Sequence, residues 1–495
     1  MALRPAPRPV PLSTVVDGVA TASVVPDVDV TGLTHDSAEV QPGDVFVALP
    51  GRTTHGARFA AAAVDAGAVA VVTDAAGADQ CAGLPVAVVV VDSPRARLGE
   101  LAARAYGRPA DDLVLLGVTG TNGKTTVAAM VESGLRAAGH VTGIIGTTGI
   151  RVDGRSYPSS RTTPEASDLH ATLARMREDH VDTVVMEVSS IAVSEHRVES
   201  VEFAAMAFTN LTQDHLDYHG SMDQYFAAKA ELFRPAHART GIVGIDDEWG
   251  RLLVDRATVP VQTWSLADPR ADWHAERTAD GVSVVDPGGS RTLVEVGLPG
   301  SFNVANAVVA FGLLRHAGVG PESAAAGIAS ARVPGRMQVV GDGPVVAIVD
   351  YAHSPDAVER VLRAGREAAS GRVIVVLGAG GDRDRTKRPQ MGAVAARLAD
   401  VVVVTDDNPR SEDPASIRAE LLDGVQDVAP AERAEVHEVG DRGRAVTVAV
   451  GLARAGDVVL LLGKGHEQGQ EVAGVVTPFD DATVLRAALD GRGAP

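Results

Sequence analysis

An α/β protein of three domains is what this sequence predicts, on three observations. Short apolar runs alternate with helix-length stretches almost from end to end, the pattern of parallel sheets covered on both faces. The 495 residues make about three domains at ~150 residues each. Polar clusters follow the apolar runs at their carboxyl ends, where open parallel sheets bind ligands.

The composition fits a packed core. Hydrophobic residues make up 45% and charged residues 22%, which excludes disorder and collagen-like structure. A formal net charge of −19 makes the chain a poor ligand for nucleic acid, whose phosphates need clustered cations. The single cysteine, Cys81, excludes a disulfide framework and a cysteine-based zinc cluster. No apolar run approaches the ~20 residues of a membrane helix, and residues 1–9 carry no signal-peptide core. A soluble cytoplasmic protein without membrane insertion is expected. Only four of the 45 basic side chains are lysines: Lys124, Lys229, Lys387 and Lys464. In a chain that uses Arg wherever either will do, a lysine marks a place needing a compact ammonium or a neutral amine.

Residues 1–106 read as a small N-terminal α/β domain, with strands at Val45–Leu49, Ala68–Val72 and Val86–Val91 and a loop at Gly51–Gly56. A second unit, 107–333, opens on the apolar run Asp112–Val118, followed by a glycine-rich turn and a helix from Lys124 to about Ala138. Strands recur at Val141–Ile145, Thr183–Glu187, Ala204–Phe208 and Gly241–Ile245, and residues 281–297 look like an appended hairpin. The third unit, 334–495, starts near Pro334-Gly335. Its strands at Val345–Val349, Val373–Leu377, Val401–Thr405 and Val458–Leu462 form a second doubly wound sheet. The prediction is thus a central P-loop-type parallel sheet, a C-terminal Rossmann-like doubly wound sheet and a small N-terminal α/β domain.

Gly120-Thr-Asn-Gly-Lys-Thr-Thr126 follows a strand and opens a helix. In that setting backbone N–H groups cradle phosphates, Lys124 reaches the β/γ oxygens and Thr125 can ligate Mg²⁺. The strict P-loop spacing would put its first Gly at Val118, so the motif is a variant. Glu187 ends a strand and suits a second Mg²⁺ or serves as a cap. Thr209–Gly220 packs two Asp and two His into twelve residues, with His215 a metal ligand or a hydrogen-bonded loop residue. Lys229 shares a helical face with Phe226, Ala230 and Phe233. It is either a snorkelling lysine or an amine kept neutral by desolvation and able to take up CO₂. Asn303 and Asn306, at a helix start, are caps or purine-binding amides.

These residues together resemble the Mur ligase family of ATP-dependent amide-forming enzymes. The matching pieces are Thr-Gly-Thr-Asn-Gly-Lys-Thr-Thr, Glu-Val-Ser-Ser, Thr-Asn-Leu-Thr-x-Asp-His-Leu-Asp-x-His-Gly, Phe-Asn-x-x-Asn, Gly-Arg-Met-Gln and Asp-Tyr-Ala-His-Ser-Pro, in family order from about residue 36 to the end. Asp36-Ser37, the Gly-Asp-Arg-Asp run and Asp407-Asn-Pro-Arg410 are similar to the branch that adds diaminopimelate. Folylpolyglutamate synthetase shares the phosphate loop and the lysine, but the Asp-Asn-Pro-Arg element and the Asp-Ser domain argue against it. A non-catalytic P-loop regulator would not need Lys229, His215 and Arg336 together.

The resemblance implies a reaction. ATP phosphorylates the D-Glu γ-carboxylate of UDP-MurNAc-L-Ala-D-Glu, and a diaminopimelate amine displaces phosphate, a step of peptidoglycan precursor synthesis that serves cell-wall biogenesis, cell shape and division. It also implies roles. Gly120, Thr121, Asn122, Gly123, Lys124, Thr125, Thr126, Asn303, Arg336 and Asp350 bind ATP, and Lys124, Glu187, His215 and a carbamylated Lys229 (N6-carboxylysine) are catalytic. Thr125, Glu187, His215 and Lys229 hold Mg²⁺. Ser37, Arg52, Thr53 and Thr54 meet the uridine portion, and Thr162, Thr163, Ser189 and Arg197 hold the muramoyl dipeptide. Arg383, Asp407, Asn408, Pro409, Arg410, Gly463 and Glu467 bind diaminopimelate. Ile191-Ala192 and Glu195 depart from the family pattern beside the dipeptide residues. A monomer is expected.

Overall fold

The structure is a computed structural model that describes residues 3–21, 26–51, 53–278 and 281–492. Three sheets organise it. Gly32–Thr34, Asp44–Val47, Ala70–Thr73 and Ala87–Val90 form a four-stranded parallel sheet in sequence order. The central sheet has eleven strands. Val114–Thr119 lies between Thr183–Glu187 and Ala205–Phe208, parallel to both. It is buried from Leu115 onward, as expected of a strand covered on both faces. The expected hairpin at 281–297 is part of a longer feature: Trp273–Thr278 joins Val261–Ser265 in parallel, and Gly281–Val285 and Arg291–Val294 then extend the sheet as antiparallel strands. The helices Lys124–Ala137, Ser301–His316 and Pro321–Ser330 pack one face, around Met130, Val309 and Leu314. Ala166–Glu178, Met222–Ala230 and Glu248–Arg256 cover the other.

The third sheet runs Gln338–Asp342, Val346–Asp350, Val458–Leu462, Val373–Leu377, Val401–Val404, Glu435–Glu438. Only the first strand is antiparallel. Helices Pro355–Ala368, Lys387–Leu398 and Pro414–Gln426 bury one face and Arg442–Leu452 and Asp481–Arg492 the other, which makes the sheet doubly wound. Val458–Leu462 is the last strand of this sheet in sequence yet sits between its second and third. The chain therefore switches direction there, and the loops after Asp350, Leu377 and Leu462 open onto one crevice. Among the described residues no helix is long and apolar enough to cross a membrane.

A fully buried ion pair anchors the last helix to this crevice. Arg442 donates to both oxygens of Asp481 (Nε 2.8 Å, Nη2 2.6 Å) and to Leu462 O (3.0 Å), and both side chains are wholly buried. Removing one partner strands a buried charge. Asp481→Ala is therefore expected to cost about 3–5 kcal/mol, read from the urea transition of the C-terminal unit by circular dichroism. Replacing both residues with Met and Leu should recover most of that loss.

Candidate active site

The strand Val114–Thr119 ends at the turn 120–123, and Gly123 caps the helix that begins at Lys124. Gly123 is left-handed (φ 92°), and a Cβ there would collide with Asn306 Oδ1, so the turn needs glycine. Thr121 Oγ1 donates to Thr212 O and lies 3.1 Å from the Tyr225 hydroxyl, while Asn122 N donates to Asn210 Oδ1 (3.1 Å). Lys124 folds back on the turn, its Nζ donating to Gly120 O and Thr121 O, both at 2.9 Å. Burial lowers the basicity of that ammonium, against the pull of Glu187 and Asp214. A helix N-terminus and a lysine around a glycine turn make an anion site.

Glu187 is buried beside it. It accepts from Thr125 Oγ1 (2.9 Å), Thr147 N (2.8 Å) and Thr147 Oγ1 (3.1 Å). Thr147 Oγ1 is 3.0 Å from Thr162 Oγ1, and Thr163 Oγ1 donates to Glu187 O (2.9 Å) and accepts from Ser189 N (3.1 Å). Thr162, Thr163 and Ser189 thus gather around Glu187. Arg197 does not join them. It pairs with Glu165 (3.0 Å), which Arg95 (2.7 Å) and Arg161 also grip. Burial works to raise the Glu165 pKa, but Arg197 and then Arg95 outweigh it and hold the carboxyl below its usual range. Glu195, one of the departures from the family pattern, accepts from the Tyr218 hydroxyl at 2.7 Å.

A cavity of about 450 Å³ opens from the turn. Asn122, Gly123 and Thr126 line it from the central sheet, Asn303 and Asn306 from the helix Ser301–His316, and Arg336 and Asp350 from the third sheet. The two asparagines are not caps, because Gly300 holds the N-cap position. Asn303 Nδ2 donates to Pro299 O (2.7 Å) and Asn306 Nδ2 to Asn303 Oδ1 (3.0 Å). Arg336 crosses between units: its Nη2 donates to Thr125 Oγ1 (3.2 Å), its guanidinium lies 4.5 Å from the Tyr351 ring centroid, and its buried Nε has no hydrogen-bond partner. Asp350 receives Met337 N (2.7 Å) and Ala352 N (2.8 Å), and burial raises its pKa despite Arg336.

Lys229 is buried in the helix Met222–Ala230. Its Nζ donates to Gly120 O (2.9 Å), the carbonyl that Lys124 also uses, and lies 4.7 Å from the Tyr225 ring centroid. Burial, then Lys124, pushes its pKa well below the ordinary lysine value. The snorkelling alternative is thus set aside, since the amine ends inside the protein. His215 stands at the rim in a left-handed conformation, 44% exposed, edge-on to Tyr225 at 6.2 Å and 3.6 Å from Asp214.

A second cluster lies at the crevice of the third sheet. Lys464 Nζ donates to Asn408 Oδ1 (3.1 Å), Glu467 Oε2 (3.3 Å) and Gly469 O (2.6 Å), and Asn408 Nδ2 donates to Glu467 Oε2 (2.7 Å). Asp407 is buried against Gly463, whose φ of 109° and contact with Asp407 Oδ2 leave no room for a side chain. Arg410, after Pro409, is left-handed (φ 52°). Its backbone is tied to the hairpin Gly469–Pro478 through Glu471 O (3.0 Å) and Ala473 N (2.7 Å), and its Nη1 donates to Gly381 O (2.6 Å). Arg383 is exposed on the neighbouring loop and donates to Asp382 O. Next to Glu467, the His466 Nε2 lies 3.1 Å from Thr147 O, so this cluster touches the Glu187 site. Ser37 and Thr53-Thr54 follow the carboxyl ends of the adjacent strands Gly32–Thr34 and Asp44–Val47. Arg52 lies outside the described residues.

Models of the Mur ligase family match three stretches of the chain: the "Mur ligase family, catalytic domain" over 29–106, the "Mur ligase middle domain" over 118–314 and the "Mur ligase, glutamate ligase domain" over 335–465. A UDP-N-acetylmuramoyl-L-alanyl-D-glutamate–2,6-diaminopimelate ligase of Streptomyces coelicolor is 50% identical over 496 aligned positions, 98% of each chain. The chain belongs to the Mur ligase family. The ligase of the same name from Corynebacterium glutamicum is 49% identical over 92% of this chain and 90% of its own. A solved structure of a ligase so named matches 99% of this chain and 100% of its own, at 32% identity and a TM-score of 0.69. Within this Mur ligase, four residues of the site escape sequence reasoning. Thr147 follows a strand and carried a readable signal, a polar pair at a strand's carboxyl end. Tyr225, Asp356, whose Oδ2 accepts from Asn122 Nδ2 (3.1 Å), and His466 make contacts across long sequence separations that no local pattern encodes.

Proposed function

We propose that this Mur ligase joins diaminopimelate to UDP-MurNAc-L-Ala-D-Glu at the expense of ATP, in the cytoplasm and as a monomer. The observation that carries the reading is the cluster of Asp407, Asn408, Arg410 and Glu467, both charge signs on one crevice, with His466, adjacent to Glu467, reaching Thr147 beside Glu187. A zwitterionic side-chain end needs such a two-signed pocket, and an amine must reach an activated carboxyl next door.

The D-Glu γ-carboxylate oxygen attacks the γ-phosphorus and ADP leaves, which forms an acyl phosphate. The diaminopimelate amine adds to its carbonyl carbon and loses a proton, and the tetrahedral intermediate expels phosphate. Both steps concentrate negative charge, so fixed cations lower the barrier most. Lys124 and Arg336 serve there, Asn303 and Asn306 face the adenine, and Asp350 takes the ribose. Ser37, Thr53 and Thr54 would meet the uridine portion. Thr162, Thr163 and Ser189 place the dipeptide next to Glu187, and Arg197, once released from Glu165, pairs with its free carboxylate. The donor set Thr125 and Glu187 fits Mg²⁺, which favours one or two carboxylates plus phosphate oxygens. When bound there, the ion would neutralise charge on the phosphoryl oxygens. Lys229 as an ammonium is no metal ligand. As a carbamate it supplies a carboxylate, with His215 at the rim to orient it.

Two experiments test this reading. Lys229→Ala should lose most activity and regain part with added short carboxylates, whereas normal activity in Lys229→Arg would contradict the carbamate, because guanidinium does not take up CO₂. The acceptor is read from kcat/KM for diaminopimelate and lysine. Lysine lacks the second carboxylate and leaves the Arg410 fork with Gly381 O (2.6 Å) and the Glu471 carboxylate 3.7 Å away. Because Arg410 keeps that bond and is partly exposed, the penalty falls at the low end of about 3–5 kcal/mol, roughly 100-fold in specificity. Arg410→Ala should erase that preference, and equal use of both amino acids by the wild type would contradict it.

A further inference from the structure

From the geometry we infer that Lys464 is the positioning residue of the acceptor pocket. Its fully buried ammonium fixes the orientation of Asn408 and Glu467 and so selects an acceptor whose far end carries an amine. The inference rests on the diaminopimelate reading above.

Lys464 has zero exposure and spends its three protons on Asn408 Oδ1, Glu467 Oε2 and Gly469 O, with Asp407 Oδ1 a further 3.7 Å away. The consequence for Asn408 is an orientation without ambiguity. One end of its amide receives both the ammonium and Glu471 N (2.9 Å), so that end is the oxygen, and the nitrogen must face Glu467. Glu467 is fixed in turn. Lys464 and Asn408 both donate to Oε2, and among the described residues Oε1 has no hydrogen-bond partner. Since Glu467 is 30% exposed, that free oxygen is available to a ligand.

Charge points the same way. Arg442 pairs with Asp481 and Arg410 with Glu471 (3.7 Å), which leaves two carboxyl groups, Asp407 and Glu467, against the ammonium of Lys464. An incoming ammonium at Glu467 Oε1 balances the set. Lysine suits this position better than arginine. A compact ammonium meets three acceptors arranged around a point, whereas a planar fork cannot. That accounts for one of only four lysines in a chain that otherwise uses arginine. The hairpin Gly469–Pro478 belongs to the same construction, since Gly469 O accepts from Lys464 and Gln470 Nε2 donates to Asp407 O (2.7 Å).

The test compares diaminopimelate with 2-aminopimelate, which keeps both carboxylates and lacks only the distal amine. The readout is acceptor-dependent phosphate release by the full-length enzyme with saturating ATP and UDP-MurNAc-dipeptide. Wild type should prefer diaminopimelate by about 100-fold or more in kcat/KM, the scale at which an unpaired polar site rejects an analogue. Lys464→Met should bring that ratio close to one while leaving KM for ATP and for the UDP-sugar within about threefold. Lys464→Arg, which keeps the charge and carries the test if the Met variant does not fold, should lower the ratio by about tenfold. In a Glu467→Gln background either substitution should change the ratio little, because its effect passes through Glu467. A residue with a merely structural role would add its full effect there. Retention of the wild-type ratio in a folded Lys464 variant overturns the inference alone. Absence of diaminopimelate-dependent phosphate release in wild type overturns the acceptor reading on which it rests.

Discussion

Lys124 and Lys229 donate to the same carbonyl oxygen, Gly120 O, each at 2.9 Å, with Lys229 buried and Lys124 half-buried. Two ammonium groups on one acceptor are costly unless something negative arrives or one of them changes charge. The protein prepares for both outcomes. The phosphate turn is shaped to admit an anion beside Lys124, and burial lowers the basicity of Lys229, which is what the proposed carbamate would require. Glu187 supplies the fixed counter-charge, held by Thr125 and Thr147 so that its carboxylate is already oriented. An electrostatic site of this kind needs no reorganisation at the moment of reaction.

The other parts of the fold bring groups to that point from a distance. Among the described residues, three side chains of the third unit make hydrogen bonds to the central one. Arg336 reaches Thr125, Asp356 Oδ2 accepts from Asn122 Nδ2 at 3.1 Å, and His466 lies against Thr147 O. Each begins in a loop or helix start at the carboxyl ends of the third sheet's strands, so one crevice provides the far wall of the nucleotide cavity and the floor of the acceptor pocket. On the proposed reading, the spacing between activated carboxyl and incoming amine would be set by how the two sheets dock.

The sequence carried the buried frame well and the exposed trim poorly, for physical reasons. Strands such as Thr183–Glu187, Val373–Leu377 and Val458–Leu462 are continuous apolar runs because both faces are covered, and their limits could be read to the residue. The pairs Gly149–Val152 with Arg155–Tyr157 and Gly469–Val472 with Val475–Pro478 lie at edges, mix polar and apolar residues and leave no such run. The phosphate turn was legible because glycine, lysine and threonine at that spacing have few other uses. Asn303 and Asn306 left two readings open, and the Gly300 cap removes one of them, the helix cap. Nothing in the pattern around Arg197 announces Glu165 as its partner, since charge pairing across thirty-two residues of chain has no period. Lys464 shows a middle case. Its rarity as a lysine marked it, but its partners Asn408 and Gly469 become visible only once the strands are placed side by side.

The central claim is that a carboxylate is activated by phosphoryl transfer inside the cluster of Lys124, Arg336 and Glu187. Its most direct measurement uses UDP-MurNAc-dipeptide labelled with ¹⁸O in the D-Glu γ-carboxylate, turned over with ATP and diaminopimelate, with the phosphate analysed by mass spectrometry. An acyl phosphate requires that one labelled oxygen leave with the phosphate and the other remain in the new amide. Unlabelled phosphate from a completed reaction would contradict the account.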